Sequence, residues 1–143
     1  MDQEIRQGTA FVSPALRDAV GRIGDRWSLL LVQALLEGPR RWRDLHDAIP
    51  GIAPNVLADR LRRLEREGVV ATAPYSTRPP RLAYDLTEDG RALAGVIRLL
   101  AAWGGQAPGG PPHHVCGTPT EVRWFCPTCG TATEDGGEDV MLV

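Results

Sequence analysis

The chain has 143 residues, enough for one domain and a small appendage. Hydrophobic residues make up 43% and charged residues 24%, values of an ordinary packed protein and not of a disordered one. No apolar run approaches the roughly 20 residues that span a bilayer, and the opening Met1-Asp2-Gln3-Glu4 is acidic and polar, unlike a signal peptide. A cytoplasmic protein with no membrane partner is the expectation.

The net charge of −2 argues against nucleic acid only until its distribution is considered. Four acids and no base lie in Glu134–Asp139; without them sixteen bases face fourteen acids. Every base is Arg, the side chain suited to bidentate contacts with phosphate and guanine. A GC-rich genome would favour Arg codons everywhere, so Arg usage alone decides little. All three Cys follow residue 115, and an odd count near His residues suggests a metal and not a disulfide framework.

Ser13-Pro14 opens a first helix, a hydroxyl cap followed by Pro at the first helical position. Leu16, Val20 and Ile23 follow at roughly helical spacing. Asp25 caps a second, central helix, Arg26–Glu37, which Gly38-Pro39 stops; Trp27 is expected in the core. A third helix is expected from Arg41 to Ile49, with Trp42, Leu45 and Ile49 on one face. After Pro50-Gly51 a fourth runs from Pro54 to Glu67, with Leu57, Leu61 and Leu64 as its buried stripe. Two strands, Val69–Tyr75 and Arg81–Leu86, are joined by Ser76–Pro80. Thr87 then caps one long helix, Glu88–Trp103, whose stripe is Leu93, Val96, Ile97, Leu100 and Trp103.

This order predicts a mostly α fold with a small β-hairpin wing, a winged helix-turn-helix over 1–104. Gly104–Pro112 reads as a linker, 113–133 as a zinc-ribbon-like segment, and 134–143 as an acidic, unstructured tail. Pro54–Glu67 is the expected recognition helix, with Asn55, Ala58, Asp59 and Arg62 opposite its buried stripe. Asn55 is placed to read adenine and Arg62 to bind guanine or phosphate. Asp59 would repel phosphate, so it faces away from DNA or orients an Arg; Arg63 is a further expected contact, or else part of a solvated face paired with Asp59 four residues before it. Arg40, Arg41 and Arg43 at the start of the third helix, and Arg78 and Arg81 at the wing tip, are further expected DNA contacts. Each exposed Arg could equally be a solvated surface residue; the agreement of three separated elements carries the reading.

Five blocks resemble the HxlR-type transcriptional regulators. They are Asp25-Arg26-Trp27, Gly38–Leu45, Pro50-Gly51-Ile52, Leu57–Glu65 and Pro79–Thr87, in order and at similar spacing, within residues 13–104. The resemblance implies a winged-helix homodimer on pseudo-palindromic operator DNA, paired through its first and last helices. The stripe Leu93, Val96, Ile97, Leu100 and Trp103 suits that role, or else packs on its own domain. Two departures stand out. Ala53 occupies the recognition-helix cap where many relatives carry Ser. Phe11-Val12-Ser13 has no Cys, so the thiol switch of some relatives does not carry over.

His113-His114-Val115-Cys116-Gly117 and Cys126-Pro127-Thr128-Cys129-Gly130 read as two halves of a zinc ribbon. Two ligands at that spacing can hold one ion, and the Gly after each Cys permits the closing turn. His113, Cys116, Cys126 and Cys129 would make a closed, structural zinc site, with His114 the competing fourth ligand. Trp124 and Phe125 are expected to cover it. A disulfide, or reduced thiols without metal, are the alternatives.

No paired carboxylates, nucleophile triad or phosphate loop points to an enzyme. The rival to DNA binding is a winged helix that docks a protein partner. A small-molecule effector between dimer helix and winged domain is conceivable, but no residue pattern identifies one.

Overall fold

The computed structural model describes residues 12–105, 112–121, 123–133 and 139–140. The reading of the N-terminal end, of most of the 105–112 linker and of much of the tail lies outside them. The chain divides after Ala94 into two units.

In the first unit every helix but one begins at a local cap. α1 (Pro14–Ile23) starts with the Ser13 hydroxyl accepting the Leu16 amide, and Pro14 opens its first turn. α2 (Arg26–Leu36) starts at Asp25, whose carboxylate accepts the Trp27 and Ser28 amides at 3.1 and 3.0 Å and the Ser28 hydroxyl at 2.6 Å. α3 (Trp42–Ala48) is closed by the Arg41 amide donating to the Asp44 carboxylate at 3.1 Å. α4 (Pro54–Arg66) has no side-chain cap at Ala53, and Pro54 alone prepares its first turn. It ends on a Schellman motif: the Val69 amide donates to the Leu64 carbonyl at 2.9 Å and the Gly68 amide to Glu65 at 3.0 Å. Gly68 adopts φ 72°, the left-handed conformation this turn requires.

Leu31 and Leu35 of α2, Leu45 of α3 and Leu57, Leu61 and Leu64 of α4 are buried together with Val69, Val70 and Leu86. Each such side chain contributes about 2 kcal/mol through burial. Trp27 is not in this core: it is half-buried and carries the Arg26 guanidinium 4.1 Å from its ring centre. Leu31, Val32, Leu35 and Ser28 already fill the buried face of α2, so the large indole stays at the rim.

β2 (Val70–Thr77) and β3 (Pro80–Leu86) pair antiparallel from Val70↔Leu86 to Thr77↔Pro80, turning at Arg78-Pro79, whose peptide bond is cis. Both strands reach further toward the tip than expected. A third strand, β1 (Arg40–Arg41), pairs with β3 and makes the order β1-β3-β2. β2 is thus an edge, which tolerates Pro74 and the extra residue Tyr75 in its register.

The expected long helix is two helices. α5 (Glu88–Ala92) closes when the Leu93 amide donates back three residues to Gly90, and α6 (Ala94–Gly104) starts anew. The cap of α5, Thr87, accepts the Gly90 amide and donates to the Gly68 carbonyl at 2.6 Å, fixing α5 to the end of α4. Gly90 is buried so closely that an added Cβ would lie 2.2 Å from the Val69 carbonyl oxygen.

In the second unit α6 precedes two tight turns and a small sheet of β4 (Trp124–Phe125), β5 (Ala132–Thr133) and β6 (Asp139–Val140), in that order. Asp139–Val140 pairs with β5, so part of the segment expected to be an unstructured tail is strand. No helix among the described residues is long and apolar enough to cross a membrane.

Candidate nucleic-acid interface

Burial of Leu57, Leu61 and Leu64 turns the opposite face of α4 to solvent. Asn55, Asp59 and Arg62 are exposed there and Ala58 is half-buried. The Asp59–Arg63 pairing is not formed. Asp59 lies 4.0 Å from Arg60, and Arg63 donates to the Gly21 carbonyl of α1. Arg63 therefore ties α4 to α1, leaving Asn55, Asp59 and Arg62 as the outward polar groups among the α4 candidates. Arg60 is turned inward, with Nε buried 3.5 Å from Asp25.

The second cluster also divides. Arg41 and Arg43 are exposed, whereas Arg40 is half-buried and its Nε donates to the Ala34 carbonyl at 2.8 Å. Arg40 borders a cleft of about 340 Å³ with Leu30, Gln33, Glu37 and Ile49. Arg41 stacks over Tyr75 of the wing, 4.4 Å from the ring centre. This contact joins the start of α3 to the wing; the sequence hid it because it depends on β1 pairing and on the irregularity at Tyr75. Arg78 and Arg81 are exposed at the wing tip.

Two further residues hold this surface in place: Arg22, which sequence reasoning missed, and Asp25, whose capping role was expected but whose place opposite Arg60 was not. Arg22 of α1 donates to the Glu67 carbonyl at 2.8 Å and pairs with the Glu67 and Asp89 carboxylates at 3.2 and 2.9 Å. It thereby links α1, the end of α4 and α5. Asp25 caps α2 and faces Arg60 of α4. Burial pushes its carboxyl pKa up, but the Ser28 hydroxyl and amide, the Arg60 charge and the Trp27 amide outweigh this and hold it below the usual value.

Apolar side chains remain uncovered on both outer helices. On α1, Leu16 and Val20 are 59% and 55% exposed. On α6, Val96, Leu100 and Trp103 are exposed, Trp103 at 82%, while Ile97 is buried; Leu93, between α5 and α6, is half-buried. The expected stripe is thus split between packing and an open face.

In the Cys/His segment, Cys116 Sγ lies 3.4 Å from His113 Nδ1, and the His114 ring packs at a tilt on His113. Cys126 and Cys129 lie on a second turn of the same kind. Among the described residues no group of three or more His, Cys, Asp or Glu side chains stands together as a metal site. Trp124 and Phe125 are both largely exposed; their short strand pairs with β5.

An antiparallel wing behind a helix-turn-helix, with exposed Arg on α3, α4 and the wing, defines the class: a winged helix-turn-helix protein. The family model for HxlR-like helix-turn-helix proteins matches residues 22–109. The HTH-type transcriptional regulator Rv3095 of Mycobacterium tuberculosis, itself uncharacterized, is 39% identical over 79% of this chain and 78% of its own length. YtfH of Escherichia coli, also an uncharacterized HTH-type regulator, is 31% identical over 72% and 82%. The reduced form of the transcriptional regulator YodB from Bacillus subtilis superposes with a TM-score of 0.59 at 34% identity, covering 66% of this chain and 93% of that one. The chain belongs to the HxlR-like helix-turn-helix family; it is a transcriptional regulator of helix-turn-helix type and not an enzyme.

Proposed function

We propose that this regulator binds a pseudo-palindromic operator as a homodimer, with α4 in the major groove and the wing on the backbone or in the adjacent minor groove. The observation that carries the reading is the division of α4: three Leu face the core and Asn55 and Arg62 face solvent. Arg62, Arg41, Arg43, Arg78 and Arg81 supply the charge for phosphate, and Asn55 supplies a donor and acceptor pair for an adenine edge. The absence of a capping side chain at Ala53 leaves first-turn amides of α4 free of such a partner, so a DNA phosphate can take that place.

The open apolar faces of α1 and α6 support pairing of two copies, since large exposed apolar side chains in groups mark contact surfaces. A twofold dimer places its recognition helices about 34 Å apart, one turn of duplex. No Cys precedes Cys116, so a thiol trigger near α1 has no residue to act through.

Two measurements test this. Light scattering on the full chain is expected to give twice the monomer mass, and Trp103→Glu or Val20→Glu to give monomer; a monomeric wild type contradicts the dimer. In competition binding, Asn55→Ala is expected to narrow the gap between operator and random duplex, whereas Arg78→Ala weakens both alike. Equal effects of the two substitutions on both duplexes contradict the division of roles.

A further inference from the structure

We propose that the C-terminal segment binds one zinc ion through His113 Nδ1 and the thiolates of Cys116, Cys126 and Cys129. One turn occurs twice in this segment. The His113 amide donates to the Thr118 carbonyl at 2.8 Å, and the Cys126 amide donates to the Thr131 carbonyl at 2.8 Å. The Gly117 amide donates back to His113 at 2.7 Å, and the Gly130 amide back to Cys126 at 2.9 Å. Both glycines adopt φ 71°. The flanking residues pair in the same register, Pro112 with Pro119 and Phe125 with Ala132. The two turns are thus one backbone structure used twice, although in sequence they share only Cys116-Gly117-Thr118 and Cys129-Gly130-Thr131.

The repetition assigns the ligands. In the first turn the first and fourth side chains meet, His113 Nδ1 with Cys116 Sγ, and the second turn carries Cys126 and Cys129 at the same two positions. His113 holds the position that Cys126 holds in the second turn, and His114 has no counterpart there that could ligate, since Pro127 stands in its place. The 3.4 Å between His113 Nδ1 and Cys116 Sγ is close to the edge of a tetrahedron with metal–sulfur and metal–nitrogen bonds of about 2.3 and 2.0 Å. Three sulfurs and one imidazole suit zinc, and four protein ligands leave no open position for catalysis.

The two halves do not converge as one cluster of donors. Joining them is the work the ion would do. Ala132 is the buried side chain of this segment among the described residues, so apolar packing cannot clamp the turns together. Binding would exchange three thiol protons for one divalent ion, leaving a centre of net charge −1. The inference is independent of DNA binding: metal content and operator affinity are separate readouts.

The test uses the full reduced chain. Elemental analysis is expected to give one zinc per chain after gel filtration. Cobalt(II) exchanged into the protein is expected to give the visible absorption of a tetrahedral site with thiolate-to-cobalt charge transfer. Cys116→Ser and Cys126→Ser should lose the metal. His114→Ala should keep it, and His113→Cys should keep it with a stronger charge-transfer band from a fourth thiolate. A reduced wild type that takes up neither zinc nor cobalt overturns the proposal, as does a Cys126–Cys129 disulfide in the protein isolated under reducing conditions. Metal loss in His114→Ala with retention in His113→Ala overturns the ligand assignment.

Discussion

The unit up to Ala94 buries Leu and Val side chains from three helices and the wing, whereas the segment 112–133 buries Ala132 among its described residues and otherwise relies on two turns and short strand pairings. The difference separates two ways of holding a fold. In the first unit caps set where helices start, and an apolar core holds them together. In the second, backbone hydrogen bonds shape the turns, and such bonds contribute only about 1 kcal/mol each net. A staple is what that segment lacks, and its side chains offer donors for one.

The sharpest way to break this comparison is Leu61→Ala. Leu61 is 1% exposed and sits at the centre of the α4 stripe. The substitution is expected to cost about 3 kcal/mol of unfolding free energy in urea titrations, while zinc content per chain stays that of wild type. A joint loss would show that the two units are not energetically separate. Gly90→Ala comes next. The new methyl meets the Val69 carbonyl at 2.2 Å, with the Leu86 side chain also close, so α5 must shift from the end of α4. The expected cost is about 2 kcal/mol; a neutral result would mean that α5 is not held there.

Asp25→Ala removes the α2 cap and the carboxylate facing Arg60, an expected loss of about 1–2 kcal/mol at neutral pH. The pH dependence follows from the lowered carboxyl pKa. The ionised group stabilises the fold fully above its unfolded value of about 4, and that contribution is lost as pH falls through the lower folded value. The gap between wild type and variant is therefore expected to close below pH 4; a constant gap would contradict the electrostatic part. Arg63→Ala is the smallest effect, an exposed tie to the Gly21 carbonyl worth about 0.5–1.5 kcal/mol by thermal melting. If it instead abolished DNA binding without a change in melting, Arg63 would belong to the DNA surface.

Helix starts were legible because Ser13, Asp25 and Thr87 are caps with one physical meaning, and the buried face of α4 because Leu57, Leu61 and Leu64 repeat at helical spacing. β1 was not legible: two residues show no alternation, and only β3 beside them makes a strand. The break at Leu93 was hidden for a similar reason. The apolar spacing continues through it, and what ends α5 is a backbone bond to Gly90, whose position is set by Val69. Among the Arg candidates, sequence could not sort Arg40 and Arg63, which bind carbonyls of Ala34 and Gly21, from Arg62 and Arg78, which face solvent. Partners distant in sequence decided each case.

The proposed function turns on α4 and the wing forming a charged surface that reads duplex DNA. The most direct test is fluorescence anisotropy of the full chain on the duplex flanking its own gene, across a salt series. Binding is expected to weaken steeply with salt through counterion release. Arg62→Ala or Arg78→Ala should reduce the slope of log K against log salt by about 1 for each phosphate contact removed. Binding that is weak on every duplex, indifferent to salt and unchanged by either substitution would contradict it.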